Sequence, residues 1–292
     1  MKGVQCGALL LCAAFMFMHS ALADPAAWRV TGRDGGEMWL LGSMHLLRAE
    51  DYPLPAVIDE LYERADAIAM ELDLDDLDAA QQQSSLLSVA VLPQGTVLRD
   101  VLDVDVYRLA EQHARRAGID LALLQNFEPW LVAITLLDQG MSRLGYKAER
   151  GLEQYLVGKA RGAGKEIAGL ESLQTQIGIF DQLPAGAQQA MLEQTLQELD
   201  TTGAETMDEL TSAWRDGRLE TLADELLADF EDFPGLYETL VTDRNMRWVE
   251  PLEGFLDEGR RYLVVVGALH LVGKDSVVEL LEARGHAVVR VE

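Results

Sequence analysis

The stretch YLVVVGALH at residues 262–270 decides the fold that this sequence predicts. Its five leading apolar residues are typical of a buried strand in a parallel sheet, and a glycine follows where the chain can turn or be approached closely. The stretch then ends in a histidine. The same order occurs earlier, where Met38–Leu41 precedes the phrase Gly42-Ser43-Met44-His45. Two histidines therefore each follow a predicted buried strand, and we expect both to reach one site.

Strands and helices alternate around both phrases. Trp28–Thr31 and Met38–Leu41 predict a hairpin, because a Gly-rich turn separates them. The phrase Pro53-Leu54-Pro55 opens a predicted helix that runs to about Arg64, and a strand over Ala67–Met70 follows. This order predicts a right-handed β-α-β crossover between parallel strands.

Two further units repeat this plan. After the strand that ends at Val266, a capping box at Ser276–Glu279 opens a helix that Gly285 ends, and a strand over Ala287–Val291 follows. Between the termini, a helix over Gly151–Arg161 precedes a strand over Glu166–Leu170. The sequence therefore predicts an α/β fold with a mixed, largely parallel central sheet flanked by helices.

The middle of the chain is predicted to be mostly helical. One apolar stripe has the spacing of a buried helix face, and it comprises Leu219, Leu222, Ala223, Leu226, Leu227 and Phe230. Weaker stripes cover Tyr107–Ala117, Trp130–Leu137 and Ala187–Leu199. We expect one domain over residues 24–292, with helical insertions at about 75–150 and 172–255.

Residues 1–23 have the pattern of a cleavable signal peptide. One basic residue precedes an apolar run over Ala8–Met18, and Ala21-Leu22-Ala23 offers a cleavage site. The alternative is an uncleaved membrane anchor, although the run is shorter than the ~20 residues that span a bilayer. We expect an exported, periplasmic protein with no membrane span after cleavage. Both cysteines, Cys6 and Cys12, would be removed, which leaves no disulfide and no thiolate ligand.

The charge of the chain excludes some classes of partner. Of its 292 residues, 24 are Lys or Arg and 49 are Asp or Glu, and its formal net charge is −25. Such an excess of acid disfavours nucleic acid, whose binding depends on neutralising phosphates, and anionic membrane surfaces. The expected partner is a peptide or a small-molecule substrate, and the sequence leaves the oligomeric state open.

Four side chains are candidates for one site. His45 and His270 follow strands, and Glu71 and Glu171 end two others. Because parallel strands end at the same edge of a sheet, the four should converge there. Two imidazoles and two carboxylates suit a divalent metal or general base catalysis of water. The competing interpretations are a hydrogen-bonded turn for each histidine, a solvated acidic run for Glu71 and a helix cap for Glu171.

The sequence lacks the motifs of several other kinds of catalytic or nucleotide-binding site. The sequence has no phosphate-binding Walker motif, no Gly-x-Ser-x-Gly nucleophile elbow and no His-Glu-x-x-His. No cysteine would remain in the mature chain as a nucleophile. His113 and His286 are predicted to lie on the surface. Activated water is therefore favoured over a side-chain nucleophile.

Taken together, these phrases resemble the TraB/GumN family. The resemblance rests on the two Gly-x-x-His motifs, Met70-Glu71-Leu72-Asp73, Gly169-Leu170-Glu171-Ser172 and Arg244-Asn245. It spans about residues 28–291 and implies an active site of His45, His270, Glu71 and Glu171, joined by Arg244. Animal relatives include the Tiki metalloproteases; more distant relatives are erythromycin esterases, which need no metal, and haem-binding ChaN-like proteins. Glu153 stands where many relatives have Asp.

The resulting hypothesis is an exported, metal-dependent peptidase. His45, His270 and one carboxylate such as Glu71 would hold Mn, Co or Zn, and the other glutamate would accept a proton from the bound water. Arg244 would stabilise the oxyanion or a substrate carboxylate. One alternative is a metal-independent, esterase-like hydrolase. Others are a non-catalytic periplasmic protein that binds haem or metal or assists assembly, and a purely structural exported protein.

Overall fold

The computed structural model describes residues 25–73, 84, 86–201, 204–228, 230 and 234–291. A six-stranded sheet runs through this part of the chain, with the strands in the order β4-β3-β5-β2-β1-β6. The strands are β1 Ala27–Thr31, β2 Glu37–Ser43, β3 Ala67–Leu72, β4 Ile167–Glu171, β5 Tyr262–Gly267 and β6 Ala287–Arg290. The predicted signal peptide at residues 1–23 lies outside the described residues.

The sheet is mixed and largely parallel, as predicted. Strands β4, β3, β5 and β2 are parallel neighbours, whereas β1 pairs antiparallel with both β2 and β6. The hairpin of β1 and β2 is confirmed. The apolar runs of β2 and β5 are buried along nearly their whole length because both strands lie in the middle of the sheet.

Helices cover the sheet and fill the long connections. In the described residues they include α1 Ala56–Arg64, α2 Leu98–Val101, α3 Val104–Ala117, α4 Pro129–Arg143, α5 Leu152–Ala163, α6 Leu173–Asp181, α7 Ala185–Thr201, α8 Ala204–Arg215, α9 Leu219–Ala228, α10 Pro234–Tyr237, α11 Asp243–Asp257 and α12 Val277–Ala283. A π-helical turn, Glu238–Thr242, joins α10 to α11, and a 3₁₀ turn, Ala268–Leu271, follows β5. No helix in the described part is long and apolar enough to cross a bilayer.

The two Gly-x-x-His phrases start side by side. In the parallel register of β2 and β5, Gly42 lies opposite Val266 and Ser43 opposite Gly267. A Cβ on Gly42 would lie 3.0 Å from the Cβ of Ala26 and 3.1 Å from the Cα of Ala268. Glycine at this position therefore allows the close approach of the segment that follows β5.

The apolar interior forms separate clusters. The largest surrounds the sheet and includes Trp39, Leu40, Trp248 and Val264. A second cluster lies among the helices α2, α3, α4 and α7, and comprises Leu92, Leu98, Leu102, Val106, Ala110, Ala114, Leu121, Val132, Ala133, Leu136, Leu192 and Leu196. Much of the helical middle thus has an apolar core of its own.

Some details differ from the prediction. The first helix starts at Ala56, with Pro55 as its N-cap, and Pro53 lies before it. The prediction that His113 and His286 lie on the surface is wrong, since they are only 5% and 9% exposed. Each is buried beside a carboxylate, with the Nε2 of His113 3.3 Å from Asp200 and the Nε2 of His286 3.0 Å from Glu253.

Candidate functional site

The predicted strand-end residues converge at one edge of the sheet. His45 lies two residues after β2, Glu71 is the second-to-last residue of β3, and Glu171 is the last residue of β4. His270 lies in the 3₁₀ turn after β5. The fifth predicted residue, Arg244, comes from the buried face of α11. All five lie in one hydrogen-bonded or electrostatically coupled group.

Arg244 is at the centre of the buried part of this group. Its Nε donates to Glu171 Oε1 at 3.0 Å, and its Nη2 donates to both Glu171 and Glu71. Its Nη1 donates to the Leu240 carbonyl at 3.3 Å and lies 3.1 Å from His270 Nε2. These contacts engage all five N–H groups of the guanidinium. In this arrangement Arg244 has no donor left for a substrate.

His270 is a neutral imidazole with a defined orientation. Its Nδ1 lies 2.6 Å from Asn245 Oδ1, and the amide of Asn245 is oriented by a 2.9 Å hydrogen bond from its Nδ2 to the Asp275 carbonyl. Nδ1–H of His270 therefore donates to Asn245, and Nε2 accepts from Arg244. Burial lowers the pKa of His270 to about 4. Both ring nitrogens are engaged, so neither is free to bind a metal or haem.

Glu71 is an anion between the buried residues and the solvent. Burial alone would raise the pKa of its carboxyl, but His270, Arg244 and His45, with the Gly267 amide, lower it to about 2. The Gly267 amide donates to Glu71 Oε1 at 2.8 Å, and Gln176 Nε2 lies 3.3 Å from Oε2. Glu71 is therefore ionised and held by several donors.

His45 is paired with a carboxylate that the sequence did not single out as catalytic. Its Nδ1 lies 2.7 Å from Glu153 Oε1, which also accepts a hydrogen bond from the Ser43 hydroxyl. The side chain of His45 is 61% exposed, whereas that of Glu153 is 16% exposed. The Glu153 carboxylate raises the pKa of His45 to about 9, against the opposing effect of desolvation.

His45 and Glu71 face each other beside Gly267. A Cβ on Gly267 would lie 3.2 Å from His45 Nε2 and 3.3 Å from Glu71 Oε1. Any larger residue there would crowd both side chains. Gly267, from the second Gly-x-x-His phrase, therefore leaves space for His45 from the first.

A pocket of about 270 Å³ opens in front of these side chains, lined by His45, Met70, Glu71, Leu72, Ala148, Glu153, Gln154 and Gln176. This volume is just below the range for small-molecule sites, about 300–1,000 Å³. Of the five predicted residues, only His45 and Glu71 line it.

The predicted metal ligands do not form a set of three in this arrangement. In the described residues, no group of three or more His, Cys, Asp and Glu side chains is placed to hold a metal ion. Arg244 supplies the positive charge between Glu71 and Glu171, and it also occupies His270 Nε2. His45 and Glu71 alone fall short of the three protein ligands that a catalytic zinc site uses. The donor set does not fit a divalent ion here, and metal binding by His45, His270 and Glu71 stays a prediction.

Glu153 and Asn245 were missed as site residues. The family resemblance marks Glu153 as a position where many relatives have Asp but gives it no role, since an acid is usual in the first turn of any helix. It marks Asn245 only as the neighbour of Arg244. Their contacts depend on how α5 and α11 pack against the strand ends. Sequence spacing gives no signal for that packing.

Comparisons with known proteins agree with the resemblance. The sequence profile of the TraB/PrgY/gumN family matches residues 26–290. The chain is 28% identical over 242 residues to "Uncharacterized protein YbaP" of Escherichia coli (strain K12), which covers 83% of this chain and 86% of that protein. The protein of the same name from Shigella flexneri gives the same values. No solved structure is significantly similar.

Proposed function

The chain belongs to the TraB/PrgY/gumN family, and from that premise we propose that it is a hydrolase of ester or amide bonds in which His45 activates water. The observation that carries this proposal is the position of His45. Its Nδ1 is bonded to a buried carboxylate, and its ring lines the pocket beside the anionic Glu71. A histidine backed by a carboxylate is a suitable general base for hydrolysis.

The proposed reaction uses one imidazole for both proton transfers. Nε2 of neutral His45 takes a proton from water, and the water oxygen adds to the carbonyl carbon of the substrate. The tetrahedral intermediate then expels the alcohol or amine, which receives that proton back from His45. The products are a carboxylic acid and the alcohol or amine, so the reaction needs no other reactant.

Glu71 stabilises the protonated form of His45 during this cycle. Its carboxylate lies beside the ring and is ionised across the working pH range. Arg244, Glu171 and His270 are positioning residues in this scheme, and none of them lines the pocket. Arg244 and His270 lie against Glu71, whereas Glu171 is joined to it through Arg244 and Gln176. This assignment differs from the sequence-based hypothesis, which placed Arg244 against the substrate.

The test is hydrolysis of p-nitrophenyl acetate and leucine p-nitroanilide by the purified protein after dialysis against EDTA. We expect turnover, and a loss of about 10²–10⁴-fold in His45→Gln, the usual size of a general-base effect. His286→Gln is the matched control, since His286 is also paired with a glutamate but lies elsewhere. An equal rate in His45→Gln and the parent would refute the role of His45.

Adding back Mn²⁺, Co²⁺ or Zn²⁺ tests the metal-dependent peptidase form of the proposal. The scheme above predicts no more than a twofold change in rate. Activity that appears only with one of these ions would replace it with metal-assisted hydrolysis. Addition of haem tests the binding-protein alternative, for which a Soret band lost in His45→Gln is the expected sign.

Export to the periplasm is part of the same proposal, and it rests on the pattern of residues 1–23. Expression of the full chain in a Gram-negative host should give a periplasmic product whose first residue is Asp24. A product that keeps residues 1–23 and sediments with membranes would favour the uncleaved anchor instead.

A further inference from the structure

We propose that Glu153, itself held by Ser43, is the positioning residue of His45 and fixes Nε2 as the nitrogen that works in the pocket. The inference deepens the proposed hydrolase function and rests on it for its catalytic consequence. Its structural part, the choice of the protonated nitrogen, can be measured without any substrate.

The backbone holds α5 and the His45 segment at a fixed distance. The Leu152 amide donates to the Met44 carbonyl at 3.1 Å. A Cβ on Gly151 would lie only 2.2 Å from the carbonyl oxygen of His45, so the two segments are in direct contact. The first turn of α5 therefore delivers Glu153 to His45 with little freedom.

The hydrogen bonds of Glu153 determine the protonation of the ring. An ionised carboxylate only accepts hydrogen bonds, so the 2.7 Å contact with His45 Nδ1 requires a proton on that nitrogen. Although burial opposes it, His45 and the hydrogen bonds of Glu153 lower the pKa of Glu153, which keeps it ionised. Neutral His45 then carries its lone pair on Nε2. Ser43 is buried, with 2% of its surface exposed, and its hydroxyl donates to the same Glu153 Oε1 atom and so restrains the carboxylate.

The second histidine of the repeat has a different partner and a different protonation chemistry. Its Nδ1 contacts the neutral amide of Asn245, and Ala268 stands where the first phrase has Ser43. The pKa of His45 is raised to about 9, whereas burial lowers the pKa of His270 to about 4. The carboxylate on Nδ1 distinguishes His45 from His270, whose low pKa has burial as its main cause.

The test compares Glu153→Gln, Glu153→Asp and the control Glu253→Gln by proton NMR of the purified protein. An imidazole N–H bonded to a carboxylate gives a far-downfield signal, which is assigned to His45 by its absence in His45→Gln. We expect Glu153→Gln to lose this signal and Glu153→Asp to retain it. Glu253→Gln removes a carboxylate from His286 and should leave the His45 signal unchanged.

The kinetic readout uses p-nitrophenyl acetate with the same variants. The amide N–H of Gln can donate to Nδ1 and so favour the tautomer whose proton is on Nε2, where it blocks proton transfer. In Glu153→Gln we therefore expect kcat to fall about 10²–10⁴-fold with KM nearly unchanged. Rescue to within tenfold of the parent is expected in Glu153→Asp. If Glu153→Gln does not fold, Ser43→Ala is the second variant. We expect it to shift the N–H signal of His45 and to lower kcat at least threefold.

The outcomes separate the two proposals. A His45 signal unchanged in both Glu153→Gln and Ser43→Ala would overturn the positioning role, whether or not the protein hydrolyses the probe. Loss of the signal in a protein whose parent shows no hydrolysis would support the positioning role and count against the hydrolase. Loss of the signal with kcat within twofold of the parent would overturn the catalytic part of the inference.

Discussion

His45 and His270 occupy matching places in two similar phrases but differ in burial, partner and charge. His45 is exposed and bonded to Glu153, whereas His270 is buried and bonded to Asn245 and Arg244. Desolvation penalises the charged form of a buried imidazole, and a carboxylate on Nδ1 favours it. Of these two histidines, His45 is therefore the one that carries a proton on both nitrogens at neutral pH.

This difference predicts the pH dependence of catalysis. Neutral His45 is the reactive base, and its pKa is raised to about 9, so kcat/KM should rise tenfold per pH unit below that value and level off near pH 9. The measurement is a pH profile from 6 to 10 with the faster of the two chromogenic probes. A rate that is constant or falls over this range would contradict His45 as the base.

Removal of Arg244 should destabilise the protein strongly. Arg244→Ala would leave Glu71 and Glu171 buried without their cation, and breaking a buried pair costs about 3–5 kcal/mol. The free energy of unfolding in urea measures the effect. Arg261→Ala, which breaks an exposed pair with Asp66, is the control and should cost far less. Equal losses in the two variants would show that the buried cluster is not special.

The site was predictable only in part. His45, Glu71, Glu171 and His270 could be placed together because each is tied to the end of a parallel strand, and topology alone brings such ends to one edge. Arg244 was suggested by the family resemblance. Glu153 and Asn245 could not be found in this way, because the position of a helix over a sheet depends on side-chain packing.

At the scale of elements, the junction of α5 with the segment after β2 determines where His45 lies. Gly151→Ala would place a methyl group 2.2 Å from the His45 carbonyl oxygen, so we expect reduced stability and at least a tenfold loss of hydrolysis. Gly158→Ala is the control in the same helix, where a Cβ meets nothing within 4 Å. It should be neutral or stabilising by up to about 1 kcal/mol.

Urea unfolding and the rate with p-nitrophenyl acetate measure both glycine variants. Gly151 is the N-cap of α5 and Gly158 lies in its interior, so helix propensity alone favours Ala at Gly158 and disfavours it at Gly151; the loss of hydrolysis is therefore the readout that reports on His45. If Gly151→Ala were as stable and as active as Gly158→Ala, the close packing of α5 against His45 would not matter for the site.

Strands and helices with regular patterns were predicted well. The apolar runs of β2 and β5 and the hairpin of β1 and β2 were correct because burial on both faces and turn residues leave clear local patterns. The start of α1 is predictable only to within the phrase Pro53-Leu54-Pro55, since either proline is compatible with a helix start, and the structure has Pro55 as the N-cap. The burial of His113 and His286 is not predictable from local sequence, because each packs beside a carboxylate from a segment that is distant in sequence.

At the scale of the whole molecule, the separate helical cluster predicts stepwise unfolding. The cluster of α2, α3, α4 and α7 has its own apolar core, so it can open while the sheet stays folded. Native-state hydrogen exchange at rising urea concentration measures this. We expect amides of α3, α4 and α7 to exchange at a lower free energy than amides of β2 and β5. Exchange of all these amides by one global event would contradict it.

The α/β class was predictable from alternating strands and helices, but the arrangement of the helical middle was not. Periodicity shows which face of a helix is buried and does not show which helix it packs against. The pairing of α4 with α7 joins segments that lie on opposite sides of β4 in the sequence.

The order of the sheet also has a consequence for biosynthesis. Strand β5 lies between β2 and β3 but is translated after both, together with most of the helical chain. Until residue 267 has left the ribosome, β2 and β3 lack the neighbour that joins them, and Glu71 lacks the Gly267 amide. Closure of the sheet then depends on contacts between distant segments, which form slowly. A nascent chain therefore has no assembled site until nearly all of it has been synthesised.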